Sequence, residues 1–105
     1  MSIDEPFCVP LSKFEEGKMH AITVEGREMV GCRTKDSIYV VDNICTHAFA
    51  RLSEGRLRGT RLICPLHGAA FDIRDGRPLG PPATKPLATH MARIVGEEVH
   101  ITTAP

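Results

Sequence analysis

Residues 43–75 read NICTHAFARLSEGRLRGTRLICPLHGAAFDIRD and contain two groups, Cys45-Thr46-His47 and Cys64-Pro65-Leu66-His67, with sixteen residues between them. Each group joins one soft thiolate to one borderline imidazole. Four such donors can hold a tetrahedral zinc, or a two-iron cluster with different ligands on each iron. A zinc finger usually groups cysteine with cysteine and histidine with histidine. Here each loop carries one of each, which suits a cluster whose cysteines take one metal and whose histidines take the other. Gly68 lets the backbone approach closely with its N–H free to point at a sulfide, and Pro65 stiffens the second loop.

On either side of this stretch the chain reads as β. His20–Val24, Glu28–Thr34 and Ser37–Asp42 are short apolar-rich runs before it, with Glu25-Gly26-Arg27 as a hairpin turn. Arg61–Cys64 and Ala69–Ile73 lie within it, followed by an Asp75-Gly76 turn; Leu87–Val95 and Glu98–Thr102 follow, parted by Gly96-Glu97. Asn43–Gly59 reads as a polar loop, and Gly80-Pro81-Pro82-Ala83 cannot be a central strand. Ser12-Lys13-Phe14-Glu15 has the capping-box form, but Gly17 limits any helix there to about a turn. The expected fold is all-β: a small antiparallel sandwich or barrel with a two-loop metal-binding part inserted at about 43–75.

The 105 residues suit one domain, 1–105, and the 42% hydrophobic fraction argues against disorder. At this size folding buries only about two-thirds of the chain's surface, so a bound metal centre adds useful stability. Thirteen basic and thirteen acidic residues give zero net charge, which argues against nucleic-acid binding. No apolar run is long enough to span a membrane, and the opening MSIDEPFCVP lacks the basic and apolar regions of a secretory signal. The expectation is a cytoplasmic protein with no membrane contact, whose four cysteines serve as ligands or thiols rather than disulfides.

The arrangement Cys-x-His, a gap of sixteen, then Cys-x-x-His-Gly resembles the signature of Rieske 2Fe–2S proteins. The likeness extends through His67-Gly68-Ala69-Ala70-Phe71-Asp72 and to residues 80–83, which look like the family's proline loop. It implies one 2Fe–2S cluster, with Cys45 and Cys64 on the inner iron and His47 and His67 on the outer iron near the surface. Thr46, Pro65, Gly68, Pro81 and Pro82 would shape and shield the site. Two thiolates and two neutral imidazoles leave the oxidised centre uncharged, where four thiolates would leave it doubly negative. An electron enters the neutral centre more easily, so the potential lies above that of a plant-type ferredoxin.

Quinol-oxidising members of the family resemble this chain but carry two further cysteines, in a disulfide, where Ala50 and Leu66 stand here. They also carry Ser and Tyr hydroxyls, donors to the cluster's sulfurs, where Ala69 and Phe71 stand. All four differences lower the expected potential. The resemblance is therefore to the soluble, low-potential ferredoxins of bacterial aromatic-ring-hydroxylating dioxygenase systems. It implies transient partners: an NAD(P)H-dependent flavoprotein reductase that supplies single electrons and a terminal oxygenase that receives them. The chain is an electron carrier rather than an enzyme, with no catalytic residue of its own. His20, His90 and His100 form no second iron motif. The alternatives are the Rieske-like small subunit of an assimilatory nitrite reductase, and a zinc-binding structural module.

Other residues carry simpler expectations. Cys8 and Cys32 read as small buried hydrophobes, His90 as a packing residue, Phe71 as a core anchor, and His100 as solvent-facing. Residues 43–80 hold six arginines against three acids, so the cluster end is the positive end. Arg51 and Arg77 are its candidate docking cations for an acidic patch on a partner.

An anaerobic optical redox titration is expected to show one reversible one-electron wave near the low end of the Rieske range of roughly −150 to +300 mV. A strongly positive potential would overturn the reading of Ala50, Leu66, Ala69 and Phe71. Reduction places negative charge beside the ligand imidazoles, so the potential should fall with pH where the oxidised form loses protons. A flat profile across the alkaline range contradicts this.

Overall fold

The computed structural model describes residues 6–35, 37–46 and 49–104. Nearly all regular structure among them is strand. β1 (Phe7–Pro10), β2 (Met19–Val24), β3 (Arg27–Arg33) and β4 (Ile38–Asp42) come first; β5 (Arg56–Arg58), β6 (Arg61–Ile63) and β7 (Ala70–Asp72) follow, then β8 (Thr89–Val95) and β9 (Glu98–Thr102). Six strands form one sheet in the order β1-β9-β8-β4-β3-β2, and β5-β6-β7 form a second. Every pairing between named strands is antiparallel. The smaller sheet is inserted in the chain between β4 and β8, which pair with each other.

Turn chemistry sets the register of the base. Val24 pairs with Arg27, leaving Glu25 and Gly26 as a two-residue turn with φ of 51° and 82°. Two positive φ values give the backbone twist that matches right-twisted strands. Val95 pairs with Glu98 across Gly96-Glu97, with Gly96 at φ 62°.

β3 and β4 are buried on both faces. Met29, Ile38 and Val40 join Val9, Phe14, Val24, Val99 and Ile101 in one core. Val30, Cys32 and Val41 join Cys45, Leu52, Leu62, Cys64, Phe71 and Leu87 in another. Successive strand residues point to opposite faces, so the run Met29-Val30-Gly31-Cys32 contributes to both. This two-sided wall couples the base sheet to the inserted loops.

Three local expectations need correction. Ser12 caps no helix: the segment is one 3-10 turn, Leu11–Lys13, with no side-chain cap bond. Phe14 leaves it in an extended conformation, and its ring is buried over Gly31 and edge-on to His20. The 43–59 stretch is not all loop, because Leu52–Glu54 forms a 3-10 turn and β5 follows it. Cys8 is exposed; Val9 is the inward residue of β1. The edge strand β1 carries almost no periodic signal, because it has one inward side chain followed by proline.

A Cβ on Gly31 would run into the Phe14 ring. Gly31→Ala is therefore expected to cost about 1–3 kcal/mol through overpacking. A melting temperature within a degree of the wild type would show that the ring moves aside freely.

Candidate metal centre

The two ligand-bearing loops are closed in the same way. Cys45 N–H donates to the Ala50 carbonyl at 2.9 Å, and Cys64 N–H to the Ala69 carbonyl at 2.7 Å. In each case the cysteine sits at the neck and bonds to an alanine five residues on. Both cysteines are buried, at 4% and 2% exposure, and both alanines are buried with them. The tip of the second loop projects outward: Pro65, Leu66, His67 and Gly68 are exposed. His47 lies outside the described residues.

The first loop has a brace that sequence alone did not flag. Asn43, fully buried, accepts the Ser53 N–H on Oδ1 at 2.8 Å and donates from Nδ2 to Ser53 Oγ at 3.0 Å. Its carbonyl accepts the Leu52 N–H, so the loop's two ends are tied from both sides. A buried amide is stable only when paired in this way. Gly55 then passes so close to β6 that a Cβ would strike the Ile63 carbonyl, one residue before Cys64. A cleft of about 230 Å³ lies beside this crossing, lined by Cys64, Pro65 and Gly68 among others.

The second loop is held in a demanding conformation. His67 has φ 61° and Gly68 φ 69°. A left-handed histidine is uncommon and costs backbone energy, so its surroundings fix it in place. Leu66 N–H donates to Cys64 Sγ at 3.5 Å, a backbone donor to a cysteine sulfur. Thr46 Oγ donates to the Lys85 carbonyl at 2.8 Å and anchors the first tip to the segment after the prolines. Ala83 of that segment is buried in the same core as Cys45 and Cys64, while Pro81 and Pro82 are exposed beside it.

The structure thus brings Cys45 and Cys64 together in one core, with Thr46, Pro65, His67 and Gly68 on the two loops that carry them. The two thiols face each other. Burial raises the Cys64 thiol above its ordinary range; the Leu66 N–H opposes this, and the neighbouring Cys45 reinforces it. A buried, paired thiolate needs positive charge, and a metal centre supplies it. Two buried soft donors under an exposed imidazole therefore fit a Rieske-type cluster. Cys32 differs: burial alone pushes its thiol up to about 12, which makes it an inert core residue.

The arginines are more committed than their count suggests. Arg51 holds Glu28 at 2.6 Å, and Arg74 and Arg77 share Asp72, with Arg77 also near Asp75. Among the described residues, Arg56, Arg58 and Arg61 of the β5–β6 hairpin are exposed without an ion pair. His90 is buried between Asp42, 2.8 Å from its Nε2, and the Ala104 N–H, which donates to Nδ1. No described helix is long and apolar enough to cross a membrane.

Known proteins share this arrangement. Residues 6–91 match the Rieske [2Fe-2S] domain. The ferredoxin component of the naphthalene 1,2-dioxygenase system of Pseudomonas aeruginosa is 41% identical over 94 residues, covering 90% of each chain. The ferredoxin of carbazole 1,9a-dioxygenase from Nocardioides aromaticivorans superposes with a TM-score of 0.90 at 30% identity, covering 95% of this chain and 99% of its own. A carbazole 1,9a-dioxygenase ferredoxin solved in complex with its oxygenase gives 0.83 at 30% identity, covering 94% and 90%.

The Arg74 guanidinium, Arg74's backbone N–H and the charge of Arg77 hold the Asp72 carboxyl down at about 2, against an ordinary 3.8. A depressed folded value stabilises the native state above the unfolded value, and that stability is lost as pH falls from about 3.8 through about 2. Asp72→Asn is therefore expected to melt lower than the wild type at pH 7. The gap should close as the pH is lowered through that window; a constant gap would assign it to packing instead.

Proposed function

The chain belongs to the Rieske 2Fe–2S family, and from that premise we propose that it is the ferredoxin of an aromatic-ring-hydroxylating dioxygenase system. It carries electrons and turns over no substrate itself. Its cofactor is the family's iron–sulfur cluster, which supplies reversible one-electron redox chemistry when bound. The observation that carries the reading is the pair of facing thiols, Cys45 and Cys64, buried at two loop necks with His67 at an exposed tip. The naphthalene-system relative favours it over the small subunit of a nitrite reductase.

In this reading residues 1–105 form one Rieske domain, with 43–75 holding the cluster and 80–83 flanking it. Cys45 and Cys64 bind the inner iron, and His47 and His67 the outer. The Leu66 N–H stabilises charge on the Cys64 sulfur. Thr46, Pro65, Gly68, Pro81 and Pro82 shape the surround. A flavoprotein reductase delivers electrons and a terminal oxygenase receives them, in the cytoplasm, where cysteines outside disulfides are at home. Phe49 on the first loop is fully exposed, and Leu66, the residue before His67, is 45% exposed, so each loop offers an apolar side chain for brief contact. Arg51 and Arg77 already hold carboxylates of this chain, so electrostatic steering shifts towards Arg56, Arg58 and Arg61.

Cys45→Ala and Cys64→Ala are expected to yield colourless protein without iron. Phe49→Asp is expected to retain iron and potential while slowing electron delivery to a naphthalene-type oxygenase by about tenfold, in line with loss of one apolar anchor. If the iron-loaded wild type carries no electrons between a flavoprotein reductase and any such oxygenase, the proposal fails.

A further inference from the structure

We propose that Cys8, Glu98 and His100 form a second metal site, for a borderline divalent cation of the zinc class, on the outer edge of the six-stranded sheet. The β1–β9 register places Cys8 directly opposite His100, and Glu98 lies two residues earlier on the same strand. Strand alternation therefore sends all three to one face, while Val9, Val99 and Ile101 point into the core. The thiol sulfur, a carboxylate oxygen and an imidazole nitrogen lie within 4.8 Å of one another. His100 Nε2 and Glu98 Oε1 are already 3.2 Å apart.

Ligand atoms around a tetrahedral zinc stand about 3.3–3.8 Å apart, given its bond lengths to nitrogen, oxygen and sulfur. Small side-chain rotations close the remaining gap. Cys8 and Glu98 are exposed and can make them, while the paired strands hold the backbones in place. One sulfur, one nitrogen and one oxygen donor select zinc over magnesium or calcium, which take oxygen alone. The fourth position faces solvent and takes water. Binding releases the thiol proton to the buffer, so the bound site carries a thiolate. Arg93 pairs with His100 from β8 and opposes a cation there; the Glu98 carboxylate and the Cys8 thiolate offset it.

An exposed Glu98–His100 ion pair alone would be worth little and would not account for the thiol beside it. The site is separate from the iron centre: its strands pack on the core of Val9, Val99 and Ile101, whereas Cys45 and Cys64 belong to the other core. A cation here would clip the short edge strand β1 to β9.

The test adds zinc chloride to the iron-loaded protein and reads zinc and iron by native mass spectrometry. One zinc per chain is expected at unchanged iron, with Cys8 protected from alkylation. Cys8→Ala and His100→Ala should each weaken zinc binding by about tenfold or more. These side chains are outward-facing, so both variants should fold, as an unaltered visible spectrum would show. Three results would each overturn the proposal: no retained zinc, equal retention in the variants, or zinc gained only as iron is lost.

Discussion

Two thiols meet inside the protein while the imidazole of His67 stands at an exposed loop tip, and much of this chain is arranged around that demand. A cysteine at a loop neck, with its N–H bonded to an alanine carbonyl five residues on, meets it twice. The neck hydrogen bond spends the backbone donor that would otherwise be orphaned by burial. After Cys64 the chain then turns outward within three residues, to the exposed His67. Small alanines at positions 50 and 69 let the two necks pack into one core.

The base sheet serves the same constraint from below. Because β3 and β4 are apolar on both faces, the necks rest on strands already fixed by a second core on the far side. The hairpin turn at Glu25-Gly26 fixes which residues of β3 face the necks, since a slip of one residue would exchange its faces. Asn43 and Gly55 finish the placement, one by bracing the first loop and the other by letting it cross β6 without a side chain in the way.

The metal-binding pattern was legible in the sequence because donor type and spacing are local properties. Most strands were legible too, since the alternation of Met19–Val24 or Glu98–Thr102 is local, and so is the Glu25-Gly26 turn. What stayed hidden depends on distant partners. Asn43 looks like any polar loop residue until Ser53 is placed against it. His67 shows no sign of its left-handed backbone, and the Leu66 N–H contact involves no side-chain chemistry of leucine. Arginine counts alone cannot reveal that Arg51, Arg74 and Arg77 hold carboxylates. Cys8 faces outward, because hydrophobicity alone does not decide which side of a short edge strand turns inward.

The wall formed by β3 and β4 links cofactor supply to the lifetime of the polypeptide. Cys45 and Cys64, the ligands proposed above, share a core with Val30, Cys32 and Val41, so on that proposal a chain without iron would lose a cross-link on one side of its central strands. Ligand binding to the native state alone shifts the whole folding equilibrium. In a cell short of iron, empty copies would therefore spend more time open to proteases and be cleared. The abundance of the carrier would then follow iron availability without any dedicated sensor.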